Sequence, residues 1–210
     1  RRVAILIFGW FLLAPIAAAT ARETPHALRS ETFIPIYEIL TALGIVFCIV
    51  CLSKYDFFKK IFIIGLSCVV SFYFYMFIHN YFVHFPSEYS GTFQYGYAQV
   101  VAKAERLRDD YDYIVMTKSY GRPYIYTLFF SDTKPKDFWN NIKVLRDSYG
   151  FFEVERTGKY VFRENLMSTE DLDKKVLYIG REDEIPNSLK IIDRVNFLKG
   201  DTAFVLAVNE

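Results

Sequence analysis

Three long apolar runs occupy the first part of the chain, over residues 3–19, 33–53 and 61–82. A helix that spans a membrane needs about 20 mostly apolar residues, within a range of about 17–25. All three runs reach that length, and the second contains one charge, Glu38. Prolines inside the first two runs are tolerated in membrane helices. The pattern therefore predicts three transmembrane helices within residues 1–82, with a polar loop over 20–32 after the first.

The pattern changes at about residue 83, where polar residues become frequent. Residues 92–108 carry apolar side chains at helical spacing, and residues 134–145 are typical of a short helix that begins at a proline. Aromatic and β-branched runs predict strands over residues 111–117, 124–130, 151–156, 159–162, 175–180, 189–197 and 202–208.

Two local signals add detail to this second half. A turn around Gly158 joins two of the predicted strands as a hairpin, and residues 168–172 start with serine and threonine followed by acids, as helices often do. The strand over 111–117 and the "SYGRPY" segment after it suit part of a doubly wound sheet. Helices mixed with strands over residues 83–210 predict a small α/β domain of ordinary size.

Lysine and arginine near the ends of the apolar runs predict the orientation in the membrane. Arg1 and Arg2 precede the first run, and Lys54, Lys59 and Lys60 lie between the second and third. Placing these cations in the cytoplasm makes the protein a multi-pass protein of the cell membrane, with the loop and the α/β domain extracytoplasmic. A cleaved secretory signal before "AAATA" is an alternative for the first run.

Composition narrows the possible chemistry. The formal net charge is only +1, so nothing global favours nucleic acid as a partner. Cys48 and Cys51 have C-x-x-C spacing but lie in an apolar run, which favours small buried side chains over a redox or zinc site. Aromatic residues make up 19% of the chain, and they suit either a core with a membrane-facing surface or a surface that stacks on sugars.

The loop between the first two apolar runs concentrates charge in the segment "TARETPHALRSE", residues 20–31. A turn at Pro25 brings Glu23, His26 and Arg29 into one local patch, with His26 and Arg29 three residues apart on one helical face. An arginine fork beside a histidine at a membrane surface suits a phosphate or pyrophosphate. A loop that is polar only because water solvates it is the alternative.

Several segments together resemble the late transmembrane helices and C-terminal domain of bacterial polyprenyl-phosphate-sugar-dependent glycosyltransferases of the GT-C class. This class includes protein O-mannosyltransferases and aminoarabinose transferases. The resemblance is carried by "GWFLLAPIAAATARETPHALRS", "FIPIYEILTALG", "YFVHFPSEYSGTFQYGYAQVV" and "YDYIVMTKSYGRPYIYTLFFSDTKP". It implies an inverting transfer of a sugar from a lipid phosphate carrier to a protein or glycan acceptor at the outer membrane face.

The resemblance also implies roles for individual residues. Arg29 and then Arg22 are expected to bind the carrier phosphate, His26 to bind phosphate or shape the loop, and Glu23 to orient an arginine. Glu38 is a second-tier candidate, because a carboxylate in a membrane helix faces protein or a cavity rather than lipid. By the resemblance, the family's catalytic base is an acidic residue of the first extracytoplasmic loop, a region that this chain does not contain, so no catalytic residue is expected here.

No metal ligand or cofactor is expected within the chain, and a divalent cation in the full enzyme is left open. Because the chain starts with arginine, we expect it to be a fragment of a longer protein. The alternative function is a non-enzymatic membrane-anchored protein whose α/β domain binds a partner or a glycan. Further membrane helices encoded upstream would favour the enzyme.

Overall fold

The computed structural model describes residues 2–20, 30–146, 150–171 and 173–209. The chain forms two compact units, residues 1–76 and 77–210. The first unit is helical, and the last of its helices continues into the second. The long helices are α1 (Arg2–Ala19), α2 (Ile34–Cys51) and α3 (Asp56–His79). A 3-10 turn at Glu31–Phe33 leads into α2, and another at Leu52–Lys54 ends it.

Two helical stretches are long and apolar enough to cross a membrane. They cover Glu31–Lys54, 24 residues, and Asp56–Glu88, 33 residues, each with a mean hydropathy of 2.3 over its most apolar window. Protein buries 6% of the first window and none of the second. The helix α1 is apolar but has only 18 residues. The structure therefore supports two of the three predicted spans by length and composition.

The second spanning stretch begins earlier than the sequence pattern predicts. Its helix starts at Asp56, so Lys59 and Lys60 lie in its first turns rather than in a loop. Lysine is a good helix former, and an aspartate in the first turn is favoured by the helix dipole. A π-helical turn at Asn80–His84 and the short helix α4 (Phe85–Glu88) extend the stretch into the second unit.

The second unit contains a mixed sheet of seven strands in the order β2-β3-β4-β1-β5-β7-β6. β1 is parallel to β4 and β5, and the other neighbouring pairs are antiparallel. The strands are β1 (Tyr113–Thr117), β2 (Ile142–Arg146), β3 (Phe152–Thr157), β4 (Tyr160–Arg163), β5 (Val176–Gly180), β6 (Lys190–Asn196) and β7 (Thr202–Val208). The helices are α5 (Tyr97–Leu107), α6 (Pro123–Phe130) and α7 (Pro135–Asn141).

The sheet has a core on each face. On one face, α5 buries Val100, Val101 and Ala104 against Ile114 and Met116 of β1. On the other face, the strands pack against side chains of two connecting segments rather than against a helix. That second core contains Tyr113, Val115, Val161, Leu166, Val176, Tyr178, Leu189 and Ala207.

The strand predicted over residues 124–130 is wrong, because this segment forms helix α6. Its burial repeats every four residues: Pro123 and Thr127 are buried, whereas Ile125 and Phe129 are exposed. Proline at the first helical position fixes φ in the helical range and favours this start. The aromatic and β-branched composition that predicted a strand was overridden by this helical burial pattern.

Most other element predictions are confirmed, but two helices are shorter than predicted. The helix predicted over 92–108 is α5, which begins at Tyr97 and ends at Leu107. The hairpin turns at Gly158, whose φ of +56° is the left-handed conformation that glycine adopts readily. The closing strands β6 and β7 pair antiparallel as predicted. The helix predicted over 134–145 ends at Asn141, and Ile142–Arg146 forms the edge strand β2 instead. The predicted helix start at 168–172 is a single 3-10 turn, Thr169–Asp171.

Candidate functional site

Two cationic residues of the candidate site, Lys118 and Arg163, lie at the carboxyl ends of the parallel strands β1 and β4. Thr117 ends β1 and stands opposite Arg163, the last residue of β4. The backbone N–H of Lys118 donates to the carbonyl of Arg163 over 3.0 Å, so these two cationic residues leave the sheet side by side. In open α/β sheets, ligands bind outside the carboxyl ends of strands where successive connections diverge.

The connections that follow β1 and β4 leave the sheet on opposite faces. After β1 the chain forms α6, whose Tyr124 and Tyr126 pack against the first core. After β4 it crosses the opposite face of the sheet, where Leu166 belongs to the second core. The two connections therefore pass over opposite faces of the sheet, and the one after β4 places Ser168 and Lys174 beside Arg163.

A pocket of about 430 Å³ opens on the face that carries the second core. Tyr113 and Val161 belong to that core and form part of the pocket wall. The charged side chains of the wall are Lys118, Lys143, Glu155, Arg156, Arg163 and Lys174. This volume lies within the range of about 300–1,000 Å³ that is typical of small-molecule sites.

The pocket is electropositive. Five of its lining residues are lysine or arginine, and one is a carboxylate, Glu155. Lys143 pairs with Glu155 at 2.6 Å, and Lys118 pairs with Glu153 at 2.9 Å. Asp171 pairs with a third cation, Arg163. The five cations of the wall and the three carboxylates that pair with them leave two positive charges in excess.

A β-bulge turns the side chains of β3 toward this pocket. Lys143 pairs with Arg156 and Val144 pairs with Val154, so Glu155 is the extra residue between them. Successive side chains of a regular strand point to opposite faces. Because of the bulge, the neighbours Glu155 and Arg156 both line the pocket. Bulges commonly redirect side chains next to functional sites.

Beside the pocket, the buried carboxylate of Asp171 is held by four donors. Arg163 Nη1 donates to both carboxylate oxygens, at 3.1 and 3.0 Å. The hydroxyl of Tyr178 and the backbone N–H of Ser168 each donate to Oδ2 at 3.1 Å, and Tyr113 donates to Oδ1. Asp171 is only 1% exposed, so these bonds replace its hydration.

The tyrosines of this cluster stay protonated near neutral pH. Burial and the hydrogen bond to Asp171 raise the pKa of Tyr113 to about 12. Burial and the charge of Asp171 also raise the pKa of Tyr178. Burial lowers the pKa of Arg163, but its hydrogen bonds and charge pairing with Asp171 outweigh burial and raise it overall. The cluster therefore holds Arg163 as a fixed cation.

The site residues expected from the sequence are not those of this pocket. Arg22, Glu23, His26 and Arg29 lie outside the described residues. Glu38 is an exposed residue of α2, within its second turn. Nearby in the same unit, Trp10 Nε1 donates to the carbonyl of Thr32 over 2.9 Å, which ties α1 to the start of α2.

Sequence reasoning missed the pocket, although one signal pointed to it. Lys118 directly follows the predicted strand over 111–117, and Arg163 directly follows the predicted strand over 159–162. If both strands had been recognised as parallel neighbours, the two cations would have been placed together. Nothing local in the sequence marks Asp171 as buried.

Aromatic side chains divide between the core and the surface. Tyr97 and Tyr126 stack with ring centroids 4.2 Å apart inside the first core, and Phe162 and Phe204 are also buried there. The structure thus assigns these rings to packing. By contrast, Phe129, Trp139, Phe151 and Phe152 are exposed large side chains of the sheet domain.

Within the part of the chain that the structure describes, no three His, Cys, Asp or Glu side chains are placed to hold a metal ion together. All three cysteines are free thiols. Cys51 and Cys68 are exposed and Cys48 is partly exposed on the apolar helices, so the expectation that protein buries them is wrong. No family model matches the chain, and no curated protein or solved structure matches it.

Proposed function

We propose that this chain is the C-terminal part of an integral-membrane glycosyltransferase. In this proposal the enzyme moves a sugar from a polyprenyl-phosphate carrier to a protein or glycan acceptor at the outer membrane face. The observation that carries the proposal is the pair of apolar helical stretches, whose most apolar windows protein leaves almost entirely uncovered. Such surfaces need lipid or further membrane helices around them. The sequence resemblance supplies the reaction.

The proposal includes a multi-pass arrangement. In this arrangement α1 is a third membrane span in addition to the two longer stretches. The lysines between the second and third spans, Lys54, Lys59 and Lys60, lie in the cytoplasm. Residues 20–32 and the sheet domain are then extracytoplasmic. This arrangement supports the assignment of the charged loop to the lipid phosphate, because polyprenyl carriers present their phosphate at the membrane surface.

Within the loop, Arg29 and Arg22 are assigned to the carrier phosphate. Arginine offers planar, bidentate donors that match phosphate oxygens. His26 assists them or shapes the loop, and Glu23 orients one arginine. By the resemblance, the catalytic base is an acidic residue in an earlier outer loop of the parent enzyme, so these residues bind the donor and do not carry the proton transfer.

A second candidate is a non-enzymatic membrane-anchored protein whose sheet domain binds a glycan or a protein. The exposed rings of Phe129 and Trp139 favour it, since their exposed fractions are 78% and 71%. Exposed aromatic side chains mark interaction surfaces, and their faces pack well on sugar C–H groups.

Lipid analysis of cells that lack the gene separates the two candidates. If the protein uses a lipid-linked sugar, its donor should accumulate, and mass spectrometry of extracted lipids should show a rise of about tenfold or more in one polyprenyl-phosphate-sugar species. Restoring the full-length gene should return that species to its starting level. An unchanged set of polyprenyl-phosphate sugars would exclude the transferase and favour the second candidate.

A further inference from the structure

We propose that the electropositive pocket of the sheet domain, beside β1, β3 and β4, binds a phosphate ester or diphosphate. All the residues that line the pocket belong to the sheet domain. The proposal does not depend on the glycosyltransferase assignment, which places its donor site in the loop over residues 20–32. It would hold equally for an enzyme and for a binding protein.

The charge of the pocket selects an anion. After the ion pairs with Glu153, Glu155 and Asp171 are counted, two positive charges remain in excess. A phosphate monoester carries a matching charge of about −1.5 to −2 near neutral pH, and a diphosphate carries at least as much negative charge. A single carboxylate would leave one cation uncompensated.

The position of the cations makes this a built site rather than a chance cluster. Lys118 and Arg163 come together because β1 and β4 are parallel neighbours. Arg156 joins them because of the bulge at Glu155. Lys174 reaches the same pocket from the segment before β5, with its Nζ 5.2 Å from the centre of the Tyr113 ring. Four separate parts of the fold thus contribute charge to one cavity.

The buried carboxylate prepares Arg163 for such a ligand. Asp171 fixes the guanidinium through two hydrogen bonds of 3.1 and 3.0 Å, and three further donors fix Asp171 itself. A guanidinium held in place loses little side-chain entropy when a ligand binds. Fixed arginines of this kind are common wherever phosphate is recognised.

The size of the cavity indicates a small ligand. About 430 Å³ accommodates a diphosphate or a sugar phosphate. The phosphate can belong to a free molecule or to a lipid head group, since both present the same oxygens. A nucleic acid is not favoured, because the whole chain carries a net charge of only +1.

Calorimetric titration of the full chain in lipid nanodiscs tests the proposal. The ligands are inorganic pyrophosphate and glucose 1-phosphate, added to nanodiscs of neutral lipid. We expect saturable one-to-one binding that weakens as the salt concentration rises. The double variant Arg156→Ala/Lys174→Ala should raise the Kd by about tenfold or more. The control variant Lys199→Ala removes a lysine outside the pocket wall and should leave the Kd unchanged.

Two further arms complete the experiment. The side chains of Arg156 and Lys174 are exposed, so the double variant should keep the melting temperature of the unaltered protein. If its melting temperature falls, the single variant Lys174→Met is used instead. Methionine keeps an unbranched side chain of similar length beside Tyr113. Nanodiscs that contain phosphatidic acid should compete with glucose 1-phosphate if a lipid head group is the ligand, and should not compete if the ligand is free. Absence of saturable binding, or equal binding by the pocket and control variants, would overturn the proposal.

Discussion

Replacing Asp171 with asparagine is expected to lower the free energy of unfolding of the sheet domain by about 3–5 kcal/mol. Asp171 is buried and balances the charge of Arg163, whose side chain is only 19% exposed. Asparagine is nearly the same size but is neutral, so the guanidinium would lose its counter-charge in a poorly hydrated place. The amide can also accept fewer of the four donors that now point at the carboxylate.

Hydrogen exchange of β1 and β5 in the full chain measures this loss. A decrease of 3–5 kcal/mol should make their slowest amides exchange about 150- to 5,000-fold faster. Asp193→Asn is a matched control, because Asp193 also pairs with a cation, Lys103 at 2.6 Å, but is exposed. Exposed pairs contribute about 0–1 kcal/mol. Similar exchange in the two variants would show that burial of Asp171 has no special importance for the fold.

In the transferase that we propose, Arg29→Ala is expected to lower the rate of sugar transfer by about 10²–10³-fold. The side chain is assigned to the carrier phosphate, which becomes the leaving group and gains charge as the bond to the sugar breaks. Arg29→Lys should recover part of the rate, because lysine keeps the charge but loses the bidentate fork. The measurement is the rate at which membranes carrying each variant consume the polyprenyl-phosphate sugar.

Arg194→Ala controls for a general effect of losing an arginine. Arg194 lies on β6, where it pairs with Glu182 at 3.3 Å at an exposed position. Transfer by this variant should equal that of the unaltered enzyme. Full turnover by Arg29→Ala in a correctly inserted protein would remove Arg29 from the donor site.

Local patterns predicted several elements close to their observed positions. The strands β5, β6 and β7 lie where the sequence pattern placed them, and α5 lies within the segment of helical spacing but begins at Tyr97. The segment 124–130 was mistaken because its residue types favour a strand. Its burial on one helical face depends on packing against the rest of the domain, which no local window contains.

The pocket depended even more on distant pairing. Lys118 and Arg163 meet only because β4 pairs with β1 in parallel, and the bulge at Glu155 arises from how β2 and β3 pair. The segment around Asp171 looked like a helix start from its serine, threonine and acids. In the structure it is one 3-10 turn, and its carboxylate serves Arg163 and two tyrosines from other strands. Composition alone cannot distinguish these two roles.

Cysteine labelling of intact cells shows whether the charged loop over residues 20–32 lies on the extracytoplasmic side of the membrane. In a full-length protein whose native cysteines are replaced by alanine, Ala27→Cys should react in intact cells with a maleimide that cannot cross membranes. Lys199→Cys in the sheet domain should react in the same way. Tyr55→Cys, between α2 and α3, should react only after the cells are opened. Labelling of Ala27→Cys only in opened cells would place the loop in the cytoplasm. The proposed orientation, and with it the assignment of the loop to the lipid phosphate, would then be wrong.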